Sequence, residues 1–282
     1  MRPVSEQTVL VTGATDGLGK ALAGDLAGRG AAVLVHGRSP SRLEETLDEL
    51  RAATGNDRVR GYLADFASLA DVRRLAEEVE RDCERLDVLV NNAGIGGGPR
   101  GGRRETSADG HELRFAVNYL APFLLTKLLL PLLRRSAPSR IVNVASAGQA
   151  PIDFDDVMLE RRYDGSRAYA QSKLAQITFT FELAQRLRAS GDEVTVNVLH
   201  PASLMNTKMV YESFGYTMST IEDGLAATLR LVIAPELDGV SGRYFDQLSE
   251  DRAKEQAYDR DARRRLWELS DELVAPYLEE GP

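Results

Sequence analysis

Tyr169 and Lys173 stand four residues apart in Ala168-Tyr169-Ala170-Gln171-Ser172-Lys173. On a helix this spacing puts a phenol and an ammonium on one face. A cation beside a phenol favours the phenolate and lowers its pKa. Such a pair can release and take up a proton near neutral pH. A second signal lies far upstream, in Thr12-Gly13-Ala14-Thr15-Asp16-Gly17-Leu18-Gly19. Gly13 permits a tight turn. Gly17 and Gly19 let backbone approach a pyrophosphate at a helix N-terminus, where free N–H groups and the helix dipole favour an anion. A proton-shuttling phenol and a nucleotide cradle in one chain point to an oxidoreductase.

The far end of the nucleotide would be read at His36-Gly37-Arg38-Ser39. A free ribose 2′-hydroxyl is usually held by an acidic residue at this point. Gly37 takes that place, Arg38 follows and Ser39 lies beside it. Arginine suits a 2′-phosphate because its fork of donors is always charged. NADP(H) is therefore expected in preference to NAD(H). Asp16 argues the other way if it lies close to the phosphate. Asp65, with Phe66 after it, either bonds the adenine amino group or caps the helix that starts near Ser68.

These residues need a frame. Apolar, strand-like runs at 9–11, 32–35, 59–63, 88–90, 141–144 and 194–199 alternate with helical patterns at 18–29, 42–53, 69–84, 112–134 and 169–189. Such alternation implies an α/β fold, one doubly wound parallel sheet with helices on both faces. Ligands of these sheets bind outside the carboxyl ends of the strands, and most of the residues named above follow a strand end. No internal boundary is visible. The chain reads as a single domain with a core over 8–245 and a charged helical tail over 249–282, docked through Leu266, Trp267 and Leu269.

Composition narrows the function. The chain has 282 residues, 43% of them hydrophobic, enough for a core without disulfides. Its one cysteine, Cys83, excludes an internal disulfide or a cysteine-based metal cluster, so no metal is expected. The net charge of −8 argues against a nucleic-acid partner. The N-terminal residues lack an apolar signal core, and a cytoplasmic location is expected. The apolar stretch 119–133 is interrupted by Pro122, Lys127 and Pro131 and is too short to span a bilayer. The loop 95–104, rich in glycine and arginine, reads mainly as a solvated segment.

With five ordered motifs on the page, the chain resembles the short-chain dehydrogenase/reductase family, whose fold is of the Rossmann type. The motifs are TGxxxGxG at Thr12 to Gly19, Asn91-Asn92-Ala93-Gly94, the asparagine Asn118, the serine Ser146 and the YxxxK pair Tyr169/Lys173. The sequence around Tyr169, with Gly242-Arg243-Tyr244-Phe245, is most similar to the retinol-dehydrogenase-like branch. The resemblance implies roles. Tyr169 would be the general acid–base. Lys173 would lower its pKa and bond the nicotinamide ribose. Ser146 would donate to the substrate carbonyl oxygen, and Asn118 would help hold a water that relays protons to Lys173. Asn92, Ala93 and Gly94 would pack near the adenosine ribose, and Pro201 with the backbone at Leu204 near the nicotinamide. The resemblance also implies a homodimer or homotetramer through the 112–134 and 169–189 helices.

Two features depart from the family pattern. Ser146 and Tyr169 are 23 positions apart, longer than usual, so 147–167 is expected to loop beside the substrate. Pro201 is followed by Ala202 rather than glycine, and Thr207 sits one position late for a nicotinamide contact. The expected reaction interconverts a ketone or aldehyde and an alcohol by hydride transfer, mainly in the reductive direction. Met205, Met209, Val210, Tyr211, Phe214 and Tyr216 suggest an apolar small-molecule substrate. The alternatives are an NAD-dependent alcohol dehydrogenase, an epimerase-like relative, for which too few residues follow Leu199, and a non-catalytic NADP(H) sensor, which would normally lack the tyrosine or lysine.

Overall fold

The computed structural model describes residues 1–99 and 101–278. Eight strands form one sheet in the order β3-β2-β1-β4-β5-β6-β7-β8. They are β1 (Thr8–Val11), β2 (Ala32–Gly37), β3 (Val59–Leu63), β4 (Val88–Asn91), β5 (Ser139–Val144), β6 (Val194–His200), β7 (Tyr244–Asp246) and β8 (Ser249–Asp251). All pairs are parallel except β7 with β8. Near-continuous Val and Leu runs suit strands covered on both sides. Alternate residues of β1 show the pleat: Leu10 joins one core and Val9 and Val11 the other.

The first core lies under α3 (Leu69–Asp82), α5 (Ala121–Arg135) and α6 (Gly165–Ser190). The second lies under α1 (Gly17–Gly28), α2 (Pro40–Thr54) and α8 (Ile221–Ile233). Strand order runs outward in opposite directions from β1 and β4, so the crevice between their carboxyl ends is the place for a ligand.

Several elements differ from the sequence reading. The tail does not begin as a helix: β8 pairs with β7 and adds an antiparallel edge to the sheet. Both strands are three residues long, too short for periodicity to register. Helix α6 starts at Gly165, where the Asp164 carboxylate accepts from the Arg167 N–H, so its first turn lies inside the segment expected to loop. Helices α7 (Lys208–Phe214) and α8 were not foreseen, although Thr220 and Asp223 form a capping box that marks the start of α8.

The expected helix at 112–134 is interrupted. Helix α4 (Leu113–Phe115) passes through one π turn (Ala116–Leu120) into α5. The helical run Leu113–Arg135 has 23 residues and is by length and composition long enough to cross a membrane, which corrects the shorter stretch expected, but most of it is buried inside the fold. The face of α5 and α6 expected at a subunit contact carries the chain's own α9 (Arg260–Val274), with the Trp267 ring 5.2 Å from Phe123 and 6.0 Å from Phe179.

Candidate active site

The glycine loop turns out of β1 into α1. Gly13 has φ +63° and Gly17 φ +49°, backbone that favours glycine. A Cβ at Gly13 would stand 2.8 Å from Ala93 Cα, and one at Gly19 would collide with the Gly13 carbonyl. The loop is held from β4: Asn92 Nδ2 donates to Thr12 O at 2.8 Å and to Gly13 O at 3.1 Å, and the Ala93 N–H donates to Thr12 Oγ1 at 3.0 Å. Asn92 and Ala93 thus brace the cradle. Leu18 is buried in the core behind it. Asp16 caps α1, its Oδ1 accepting from the Gly17 N–H at 2.8 Å. An acidic group therefore sits on the first amide of α1.

The sequence reading missed His36. Its Nδ1 accepts from the Gly13 N–H at 3.1 Å, so Nε2 carries the proton and donates to Ala64 O at 3.0 Å. Its ring stacks on Phe66 at 4.4 Å. Burial pushes its pKa down to about 4, so it is neutral and ties the cradle to the ends of β2 and β3. Phe66 is thereby a packing residue. Gly37 was read only as lacking an acid; a Cβ there would collide with Thr15 Cγ2. Thr15 thus occupies the space an acidic side chain would need. Arg38 is exposed, and Ser39 Oγ meets Ser41 Oγ at 3.3 Å, at the outer end of the same crest. Asp65 Oδ1 accepts from the Ala67 N–H at 2.9 Å, while Ser68, not Asp65, caps α3.

Four side chains meet at the ends of β4 and β5. Tyr169 lies on the second turn of α6, half-buried, beside Ser146, the second residue after β5: a Cβ at Gly148 would stand 3.4 Å from Ser146 Oγ and 3.6 Å from Tyr169 Cε1. Ser146 Oγ also accepts from the Gly148 N–H at 3.0 Å. Lys173 is buried, with Nζ 5.9 Å from the centre of the Tyr169 ring and donating to Val144 O at 2.9 Å. A Cβ at Gly94 would stand 3.2 Å from Asn118 Oδ1 and 3.5 Å from Lys173 Nζ, so Gly94 makes room for both.

Electrostatics differ from the sequence expectation. Burial pushes the Tyr169 phenol above its ordinary pKa, partly offset by the neighbouring Ser146 hydroxyl. Burial also pushes Lys173 down to about 8. The ammonium is aimed at a carbonyl rather than at the phenol oxygen, so the expected lowering of the Tyr169 pKa is absent here. At neutral pH Tyr169 is a proton donor.

Asn118 sits inside the π turn, fully buried. Its Oδ1 accepts from the Ile95 N–H at 2.8 Å, and its Nδ2 donates to Ile95 O at 3.1 Å and Ser172 Oγ at 2.9 Å. Both N–H donors are engaged, so the side chain clasps the loop after β4 instead of offering a donor to water. π turns recur at functional sites.

The segment after β6 divides. Pro201 is buried, and Leu204 has φ +47° with its carbonyl accepting from the Met218 N–H at 2.9 Å. Thr207 caps α7 and turns its methyl toward Gly17, 3.3 Å from where a Cβ there would stand. Met205 packs against Gly224. Met209, Tyr211 and Tyr216 are exposed, while the Phe214 side chain lies outside the described residues. In the 95–104 loop, Arg104 Nε donates to Met158 O at 2.7 Å, Arg103 is exposed, and Arg100 lies outside the described residues.

The cradle and the tetrad share one crest, and the residues fit a dinucleotide: the loop turns into the N-terminus of α1 through two positive-φ glycines where a Cβ would crowd Ala93 or Thr207. The family model for short chain dehydrogenase matches residues 7–215. Retinol dehydrogenase 13 of Mus musculus is 40% identical over 98% of this chain and 86% of its own length. An uncharacterized protein from Mycobacterium paratuberculosis superposes with a TM-score of 0.78 at 30% identity, over 98% of this chain and 95% of that one. A short chain dehydrogenase of Escherichia coli CFT073 complexed with NADPH gives a TM-score of 0.70 at 26% identity, over 86% and 96% of the two chains. The chain is a member of the short-chain dehydrogenase/reductase family, in its retinol-dehydrogenase-like branch, and an oxidoreductase of alcohol and carbonyl groups.

Proposed function

We propose that the protein is an NADP(H)-dependent oxidoreductase that interconverts a fairly apolar ketone or aldehyde and its alcohol, working mainly as a reductase. The Tyr169 phenol beside Ser146, with the Lys173 ammonium 5.9 Å from its ring and the glycine cradle next to them, carries this reading. The nicotinamide cofactor, when bound, supplies or takes up the hydride. Gly13, Gly17, Asn92 and Gly94 would shape its site, and Arg38 and Ser39 would face its 2′-phosphate. Ser146 orients the substrate oxygen and stabilises negative charge developing on it. Tyr169, held protonated by burial, gives its proton to that oxygen. Lys173 keeps positive charge behind the phenol as the proton leaves, and Asn118 fixes the loop that bears Gly94.

Support for NADP(H) comes from Gly37, whose place is closed to an acid by Thr15, and from Arg38, exposed and with no partner among the described residues. The complex of the Escherichia coli relative with NADPH points the same way. Support for an apolar substrate comes from the exposed Met209, Tyr211 and Tyr216 after β6 and from the name of the relative, retinol dehydrogenase 13. Oxidation of NADPH and of NADH is to be followed with a panel of bulky aldehydes and ketones, for the wild type and Arg38→Ala. NADPH should be preferred, and Arg38→Ala should cost roughly tenfold or more in NADPH affinity, the loss of a charged hydrogen bond, with NADH unchanged. Equal use of both cofactors by the wild type would overturn the preference.

A further inference from the structure

The C-terminal segment is absent from the chemistry above, yet it is bolted to the element that carries Asn118. Tyr119, the next residue in the π turn, is fully buried, and its hydroxyl lies 2.6 Å from Ser270 Oγ on α9. Ser270 Oγ donates to Leu266 O at 2.7 Å, so the phenol is the donor of the pair. Two turns on from Tyr119, Lys127 pairs with Asp271, whose other oxygen accepts from Trp267 Nε1 at 2.8 Å. On the other side of the π turn, the Tyr277 hydroxyl donates to Asp109 Oδ1 at 2.6 Å, and Asp109 Oδ2 accepts from the Leu69 N–H. The attachments fall at 109, 119 and 127 and bracket residues 116–120.

A π turn is a rare, poorly bonded stretch of helix that persists where its surroundings hold it. Here the inner side is held by Asn118, which clasps Ile95 and Ser172, and the outer side by Tyr119, which reaches α9. Consecutive residues of one turn thus face the active site and the C-terminal helix. We infer that Ser270 is a positioning residue: through the Tyr119 phenol, α9 holds the π turn in the register that lets Asn118 clasp Ile95. This rests on the proposed role of Asn118 in the reaction. It gives α9 a part in activity, with no contact to substrate or cofactor.

Ser270→Ala and Tyr119→Phe each remove this hydrogen bond and leave the apolar packing in place. Hydrogen exchange of the full-length protein is read at 116–120 and at Ile95, with NADPH binding and turnover on the best carbonyl alongside. Both variants should speed exchange at these amides about tenfold, the loss of one buried hydrogen bond, and leave exchange in the 12–19 loop unchanged. NADPH affinity should stay within about twofold, and kcat should fall several-fold at constant KM for the carbonyl. The double variant should be no worse than either single one, since both break the same bond. Unchanged exchange at 116–120, or exchange that rises evenly across the molecule, would overturn the inference. If the wild type turns over no carbonyl, the proposed function fails, and the exchange measurement still decides whether α9 holds the turn.

Discussion

Gly37→Ala tests the claim that Thr15 fills the place of an acidic residue. Residue 37 lies in β2 with no positive φ, so alanine meets no backbone strain there. The cost is steric. A Cβ at 37 would collide with Thr15 Cγ2, while Thr15 Oγ1 at 3.4 Å and Cβ at 3.5 Å are in ordinary contact. One methyl group makes the clash. Overpacking of this kind costs about 1–3 kcal/mol. At roughly 2–4 °C per kcal/mol for a domain near this size, the fall in Tm should be easily measured. Thr15→Ser removes Cγ2 and keeps the hydroxyl, so it should be nearly neutral alone and should restore most of the loss in the double variant. Urea denaturation of the four proteins gives the coupling energy. For the same reason Gly37→Asp alone should weaken NADPH without creating good NADH binding. A loss below about 0.5 kcal/mol for Gly37→Ala, or no recovery with Thr15→Ser, would refute the steric argument.

Two pH dependences follow from buried basic side chains. His36 titrates near 4 when folded and near 6.5 when unfolded, so the unfolded chain binds more protons between these values and stability falls on acidification. Its share is about 2 kcal/mol between pH 7 and pH 5, and His36→Phe should flatten that part of the urea-midpoint profile. Lys173 titrates near 8 folded against 10.5 unfolded, so its burial destabilises at neutral pH and the cost fades as pH rises from 8 to 10.5. Lys173→Met should therefore abolish turnover yet gain stability relative to wild type at pH 7, an advantage that shrinks by roughly 2–3 kcal/mol by pH 10. A constant difference across that range would contradict a buried, charged Lys173.

The parallel sheet was legible because β1 to β6 are short, mostly apolar runs that alternate with helical patterns. The cradle and the Tyr169–Lys173 pair were legible because their spacing is local, four residues for the pair and a few for the glycines, whereas Asn118 and Ser146 stood out only through the family resemblance. What escaped depends on contacts between distant residues. His36 reads as one polar residue at a strand end, and its tasks appear only when Gly13 and Ala64 come within reach. The π turn leaves no mark in an apolar helix. The place of α9 is fixed by Trp267 and Ser270 meeting Phe123 and Tyr119, pairs more than a hundred residues apart. The Tyr169 pKa was misjudged because a four-residue spacing gives the distance to Lys173 but not the burial, and burial dominates.

The central claim is that Tyr169, protonated at neutral pH and set beside Ser146, donates the proton during carbonyl reduction. The most direct measurement is single-turnover oxidation of NADPH by the wild type and Tyr169→Phe with the best carbonyl substrate, alongside NADPH affinity by fluorescence. The account predicts a fall in the chemical step of at least about a hundredfold, the usual worth of a general acid, with NADPH affinity nearly unchanged. A Tyr169→Phe protein that binds NADPH and reduces the carbonyl at close to the wild-type rate would contradict it.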